Sequence, residues 1–307
     1  TGSGAVVVTD ANVDGASASL TVDASAMSGT ISVTGTNTSA ASTMTGGAGA
    51  DTLIGGSGID TLTGGVGIDT LTGNAGNDII NGGAGADIIN GGAGNDIING
   101  DAGADIITAG AGFDIIDGGA GSKDKLIVTS MSTAALANVT NVETLSFNGT
   151  ASLAADLSFT TIDLTNGSTA DSLTFATGYT TATTVAVEAS DTVINNAKIA
   201  MTVTASSDEL QTADNTTITG NATTLLDVLN VTASSSTVNT GSLITNVNTI
   251  NVLDTGDAAT GATAAGEDIT IDLASYATAL TIDASALDVG TTNAAGVDQA
   301  DFENLTI

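Results

Sequence analysis

Between residues 46 and 117 a nine-residue unit, GGxGxDxUx with U a large aliphatic residue, recurs eight times without a gap. The copies are GGAGADTLI, GGSGIDTLT, GGVGIDTLT, GNAGNDIIN, GGAGADIIN, GGAGNDIIN, GDAGADIIT and AGAGFDIID. Position six is aspartate in every copy: Asp51, Asp60, Asp69, Asp78, Asp87, Asp96, Asp105 and Asp114. Position eight is always Leu or Ile: Leu53, Leu62, Leu71, Ile80, Ile89, Ile98, Ile107 and Ile116. Such a period leaves little freedom. The last three residues of a copy suit a short strand with U inward and its neighbours outward. The first six suit a tight turn, because glycine adopts backbone angles closed to other residues. Two consecutive copies then make one coil of a parallel stack with a turn on each side.

This stacking sorts the aspartates into two columns. One holds Asp51, Asp69, Asp87 and Asp105; the other holds Asp60, Asp78, Asp96 and Asp114. Neighbouring coils lie ~4.8 Å apart. Two bare carboxylates at that spacing repel by ~3 kcal/mol at an effective dielectric near 20. One aliphatic side chain per half-coil is too thin a core to offset this. A hard dication between successive turns turns the repulsion into attraction. Turn carbonyls plus two carboxylates give about six oxygens, which suits Ca²⁺ better than Mg²⁺. Metal binding and folding of the block are therefore expected to be one event.

The nine-residue spacing with its constant aspartate closely resembles the RTX (repeats-in-toxin, haemolysin-type) calcium-binding family, whose repeats build a parallel β-roll. In that family each ion sits between turns one coil, or two repeats, apart. It is held by the carbonyls of positions two and four and the aspartate of one turn, and by the carbonyls of positions one and three and the aspartate of the next. The resemblance implies six such groups here. The first is Gly47, Gly49, Asp51, Gly64, Val66 and Asp69; the second is Gly56, Gly58, Asp60, Gly73, Ala75 and Asp78. The third is Gly65, Gly67, Asp69, Gly82, Ala84 and Asp87; the fourth is Asn74, Gly76, Asp78, Gly91, Ala93 and Asp96. The fifth is Gly83, Gly85, Asp87, Gly100, Ala102 and Asp105; the sixth is Gly92, Gly94, Asp96, Ala109, Ala111 and Asp114. The ninth turn, GGAGSKDKLIV from Gly118, departs from the pattern: Lys123 stands where aspartate is expected and Asp124 is shifted by one. The motif thus leaves a seventh ion on Asp105 and Asp124 in doubt, and the two lysines are expected to end the roll electrostatically.

The bland reading of these ions is that they hold the fold and signal nothing. The outward positions say more. From Ile79 onward position seven becomes isoleucine (Ile79, Ile88, Ile97, Ile106, Ile115), which predicts aliphatic ladders on the outer faces of the roll. A ladder of this kind packs either on the chain's own C-terminal part or on a partner.

Charge limits the partners. The chain has 34 Asp and Glu against 3 Lys and Arg, no His and a net charge of −31. That argues against nucleic acid and anionic membrane surfaces. No apolar run approaches the ~20 residues that a membrane-spanning helix needs. With no Cys there is neither disulfide nor thiolate site, and 39 Gly with no Pro fits short strands joined by tight turns. Lacking His, Cys and Arg, the chain is without the usual general bases, thiol nucleophiles and phosphate clamps. GxxxxGK[ST] is absent, no carboxylate pair stands out, and Lys198 suits a strand edge better than a Ser/Lys dyad. A non-catalytic role is expected. The sparse aromatics (Phe113, Phe147, Phe159, Tyr179, Phe175, Tyr276, Phe302) are expected in the core.

Around the repeats the chain reads as all-β. Residues 1–45 carry short strands at Ala5–Thr9, Ser19–Asp23 and Thr30–Thr34 that cap the first coil. Residues 46–125 form the roll. Residues 126–307 form an elongated, irregular β-solenoid or a set of packed sheets. Their strand-like runs are Lys125–Thr129, Glu143–Phe147, Thr161–Leu164, Ser172–Phe175, Thr184–Val187, Ala200–Thr204, Asp227–Val231, Thr249–Leu253, Asp268–Asp272, Leu280–Asp283 and Asn304–Ile307. Ala134–Val139 suggests at most a turn or two of helix. SLTVDASAM at Ser19–Met27 is echoed by ALTIDASAL at Ala279–Leu287, and NVETLSF at Asn141 by NVNTINV at Asn246. The first nonapeptide begins at Gly46, and the step from Met27 to Gly46, laid off from Leu287, reaches position 306. A further Gly-Asp block is expected to follow Ile307.

LT(V/I)DASA, NVETL and an RTX block set among Thr/Ala/Gly/Asn-rich strands resemble bacterial RTX-type surface-layer proteins. That resemblance implies type I secretion to the cell surface and calcium-dependent self-association into a two-dimensional lattice. It also implies an anchor to a cell-surface polysaccharide through a part outside this chain. Two other readings stand beside it. One is the binding module of an RTX adhesin, including an ice-binding type using the outward Thr63, Asn81, Asn99, Thr72, Asn90 and Thr108. The other is the non-catalytic calcium-binding tail of a secreted enzyme or toxin.

Overall fold

The structure, a computed structural model, describes residues 5–9, 19–35, 39–128, 138–153, 157, 159–165, 171–177, 179–188, 191–195, 197, 201–206, 217–219, 228–233, 237–238, 244–245, 247, 249–254, 270–271 and 281–283. Among these residues the regular elements are all strands, and every strand pairing is parallel. No helix is long and apolar enough to cross a membrane among the described residues. The chain separates into two units, residues 1–147 with 157–159, and residues 148–156 with 160–307.

In the first unit the chain alternates between two parallel sheets, each strand pairing with the next but one. The aliphatic residue of position eight points inward in every repeat. Leu53 pairs with Leu71, Leu71 with Ile89, and Ile89 with Ile107 in one wall; Leu62 pairs with Ile80, Ile80 with Ile98, and Ile98 with Ile116 in the other. All eight are at most 1 % exposed. One coil is two nonapeptides, as the sequence predicts.

The division into six turn residues and three strand residues needs correction. Strands such as Thr61–Val66 and Ile79–Ala84 are six residues long. They run on through the first three positions of the next repeat, because coils of equal length place turn backbone over turn backbone: Gly65 pairs with Gly83 and Val66 with Ala84.

The N-terminal strands extend the same two sheets. Val6–Thr9 pairs with Ile31–Thr34, which pairs with Thr52–Ile54; Thr21–Asp23 pairs with Thr43–Thr45, which pairs with Thr61–Thr63. Thr43–Thr45 is a strand that its sequence, TMT between Ser and Gly, did not announce. Beyond the repeats the first wall continues through Lys125–Val128 and Thr144–Phe147. Val139–Thr140 is a strand, not the end of a helical turn; residues 134–137 lie outside the described residues.

The second unit is also a parallel stack, which decides for a solenoid over packed sheets. One wall links Thr161–Asp163, Thr183–Ala186, Met201–Ser206, Val228–Ala233, Thr249–Asp254 and Thr281–Asp283. A second wall links Thr150–Leu153, Ser172–Phe175, Thr192–Asn195, Thr217–Thr219 and Ile244–Thr245. Its strands bury two residues each rather than one: Ala151 with Leu153, and Leu173 with Phe175. Phe175 and Tyr179 pack with ring centroids 5.1 Å apart. Phe147, Phe159, Phe175 and Tyr179 are core residues as expected, but Phe113 is 62 % exposed. Phe113 falls at position five of a turn, whose side chain leaves the coil. Lys198, Tyr276, Phe302 and the strand expected at Asn304–Ile307 lie outside the described residues.

Candidate calcium-binding roll

The eight aspartates of position six are buried, none more than 3 % exposed. In each column the backbone N–H of one aspartate donates to Oδ1 of the aspartate one coil on. Asp51 donates to Asp69 at 2.7 Å, Asp60 to Asp78 at 2.7 Å, Asp69 to Asp87 at 2.8 Å, Asp78 to Asp96 at 2.8 Å, Asp87 to Asp105 at 2.8 Å and Asp96 to Asp114 at 2.9 Å. Carboxylates are thus used as a backbone ladder. In the first coil Asp51 and Asp60 accept in the same way from Ile31 and Ser42 of the N-terminal coil.

The other carboxylate oxygen carries the functional information. Oδ2 of Asp69, Asp78, Asp87, Asp96, Asp105 and Asp124 is buried with no hydrogen-bond partner. A buried charged oxygen without a partner is destabilising by several kcal/mol. Asp51 and Asp60 differ, because their Oδ2 atoms accept from Gly47 and Gly56 of their own turns at 2.7 Å. The later turns cannot do this: their position-two residue is turned to positive φ, at Gly65, Asn74, Gly83, Gly92, Asp101 and Gly110.

Backbone oxygens converge on the same places. A Cβ on Gly82 would lie 2.6 Å from Asp87 Oδ2 and 2.7 Å from the carbonyl of Gly100 in the next coil. Gly46, Gly55, Gly64, Gly73, Gly91 and Gly100 each face the corresponding pair, their own turn's aspartate and the position-one carbonyl one coil on. Position one is glycine in seven of the eight copies, Ala109 being the exception, because two oxygens occupy the space of a side chain. The carbonyls of positions two and four face the next coil, as Gly47 and Gly49 do beneath Gly65 and Gly67. Those of position three face back: Ala84, Ala93, Ala102 and Ala111 accept from Gly67, Gly76, Gly85 and Gly94 of the preceding coil at 2.7–2.9 Å. Most of the oxygen-bearing groups of the expected sets therefore border the gap between one coil and the next.

This donor set fits a hard dication. No three acidic side chains converge among the described residues, so each gap offers two carboxylates with carbonyls making up the rest, a mixture suited to Ca²⁺. Bound there, calcium supplies the positive charge that the stacked carboxylates lack. Without it the aspartates resist ionisation. Burial pushes the carboxyls of Asp69, Asp87, Asp96 and Asp105 up to about 6, against the pull of the backbone N–H each accepts and with the push of neighbouring carboxylates. Burial likewise raises Asp78, Asp114 and Asp124.

The end of the roll corrects the sequence reading. Lys123 does not take the aspartate position. It is exposed at φ 144, and Asp124 swings into the column at 1 % exposure, accepting the Asp105 N–H on Oδ1 at 2.8 Å. Lys125 then pairs with Ile106, so the strand register is kept. The extra residue is absorbed in the turn. Below it Glu143 Oε2 accepts from both Lys123 and Asp124 N–H, at 3.0 and 2.9 Å.

Two features escaped the sequence reading. Glu143 is one. The other is a pair in the second unit, where Asp171 Oδ1 accepts from Gly149 and Asp191 Oδ1 from Asp171, at 2.6 and 2.9 Å. Both are buried, and burial pushes Asp191 up to about 6. Asp191 Oδ2 is satisfied by the Glu188 N–H at 2.8 Å. The tetrads DSLT and DTVI repeat the DTLI and DTLT of the roll without its glycines, which was the available signal.

The isoleucines of position seven stand outward. Ile79, Ile97 and Ile115 line one wall and Ile88 and Ile106 the other, each 40–50 % exposed. Ile59, Val66, Ile68 and Phe113 are also exposed, at 57–62 %.

No curated protein and no solved structure shows significant similarity to the chain. The family model of the RTX calcium-binding nonapeptide repeat matches residues 38–62, 63–98 and 99–122. The paired carboxylates, the orphaned oxygens and this match agree in reading the nonapeptides of residues 46–117 as RTX calcium-binding repeats.

Proposed function

We propose that the chain is a structural protein of a bacterial cell surface, secreted and then assembled with other copies into a calcium-dependent two-dimensional layer. RTX repeats mark calcium-binding structural modules of typically secreted proteins. The observation that carries the finer reading is the pair of exposed isoleucine ladders on opposite walls of one roll. A strongly acidic chain that leaves ordered apolar rows in water is suited to burying them against a partner surface. Rows on two walls let each copy have two neighbours, which makes a continuous row; contacts elsewhere on the chain would join rows into a layer. Calcium sets the spacing of the rows, since it holds the coils that carry them. The role is non-catalytic.

Electron microscopy of the purified protein with and without Ca²⁺ tests this. Ordered sheets that form only with calcium are expected. A monodisperse particle in both conditions would point instead to the adhesin module or the calcium-binding tail.

A further inference from the structure

The repeat match ends at residue 122 and the last motif aspartate is Asp114, yet the geometry of the gaps does not end there. Beyond Asp105 the next turn carries Lys123 at the aspartate position. The sequence pattern leaves an ion in this gap in doubt. The structure places around it the same set of groups that border the gaps inside the repeats.

Four observations define it. A Cβ on Gly100 would meet Asp105 Oδ2 and the carbonyl of Gly118, as one on Gly82 would meet Asp87 Oδ2 and the carbonyl of Gly100. The carbonyls of Asp101 and Gly103 lie beneath Gly119 and Gly121 of the ninth turn, facing across the gap. Ala102 pairs with Ala120 and Gly103 with Gly121, so the turn is in register with the one before it. The Asp105 side chain is 0 % exposed and its Oδ2 has no partner, pointing beside the Gly118 carbonyl, while Asp124 closes the column from below. An unsatisfied, fully buried carboxylate oxygen beside a carbonyl asks for a cation.

We propose that this gap is a further Ca²⁺ site, formed by Asp105 and Asp124 with the carbonyls of Asp101, Gly103, Gly118 and Ala120. It rests on the calcium reading of the repeats. Glu143 has a positioning role in it. By accepting the Lys123 and Asp124 N–H groups together it holds the turn whose extra residue brings Asp124 into the column. Glu143 replaces a nonapeptide aspartate at this point, and no glycine turn accompanies it: Asn141 is followed closely by the Thr144–Phe147 strand.

Native mass spectrometry of the full chain in Ca²⁺ tests the proposal. Asp124→Asn keeps an acceptor for the Asp105 N–H but removes the charge, and it is expected to bind one ion fewer than the parent. An unchanged stoichiometry overturns the site. Should the variant fail to fold, crystals of the parent grown with Tb³⁺ answer directly, because anomalous scattering locates each ion. Density between Asp105 and Asp124 supports the site. Density in the repeat gaps alone overturns it and leaves the calcium reading standing. No density in any gap sinks that reading instead.

Discussion

The two units solve one problem, a parallel stack of short coils, with different means. In the roll every coil between Leu53 and Ile107 is two nonapeptides long, and each half-coil buries one aliphatic side chain. In the second unit the register step changes from coil to coil. It is short where Thr183 pairs with Met201, longer where Thr161 pairs with Thr184, and longer again where Thr249 pairs with Thr281. There strands such as Ser172–Phe175 bury two side chains each, and Tyr179 packs on the Phe175 ring. Buried aspartates stitch both units. In the roll the second oxygens of Asp69, Asp78, Asp87, Asp96, Asp105 and Asp124 are orphaned; the second unit has no orphaned side-chain oxygen among the described residues. Equal coil length thus permits a column of repeated oxygen gaps, at the expense of a core wide enough to stand alone. Unequal coils lose the column and gain the core. The first unit is built to fold on an ion and the second to fold on its own burial.

The sharpest way to break this contrast is to cut each unit where it is claimed to be strong. Phe175→Ala removes a fully buried ring and is expected to destabilise the second unit by about 3–5 kcal/mol. Its melting temperature should fall equally with calcium and with chelator; a calcium-dependent loss would undo the distinction. Asp87→Ala strips a carboxylate from two successive gaps. At about tenfold per gap the overall constant falls about a hundredfold, ~2.8 kcal/mol; shared over about six ions bound in one folding event, this raises the calcium midpoint of roll folding about twofold, as read by circular dichroism during calcium titration. The melting of the second unit should not move.

Acidity separates the units further. Asp69, Asp87, Asp96 and Asp105 have folded-state pKa values raised to about 6 from 3.8. The folded roll therefore holds protons that the unfolded chain releases, and calcium-free stability falls as pH rises through the window from 3.8 to about 6. Calcium-stripped protein is expected to show more strand signal near the acid end of that window than well above it. With calcium present the order reverses, since protons compete for the same oxygens. An identical pH response in both conditions would mean that the aspartates do not hold the ion. The smallest effect is expected from Gly82→Ala. Its Cβ meets Asp87 Oδ2 and the Gly100 carbonyl, a strain of about 1–3 kcal/mol that differential scanning calorimetry in calcium would register as a lower melting temperature for the roll alone.

The contrast also explains what the sequence disclosed. The roll was legible almost residue by residue, since a fixed period lets one aspartate predict the surroundings of the next. The period misled only where it broke. Counting by nine puts Lys123 in the column, whereas the turn has room to bulge at φ 144 and admit Asp124. The second unit was half legible. Its first wall was visible in Thr161–Leu164 or Thr249–Leu253, where Thr and Asp or Asn alternate with Ile, Val or Leu. Thr150–Leu153, Thr192–Asn195 and Thr217–Thr219 of the other wall were missed, being short strands with no fixed spacing to mark them. What places those strands is a neighbour a full coil away along the chain. That pairing follows from burial of Leu173, Val193 and Ile218 in one column, which no local pattern reveals.

Hydrogen–deuterium exchange of the intact chain, with saturating calcium and with chelator, tests the central claim most directly. The account predicts that chelation removes amide protection from Asp51 through Asp124 while Thr150–Leu153, Ser172–Phe175 and Thr192–Asn195 keep theirs. Protection in the roll that survives calcium removal would contradict it.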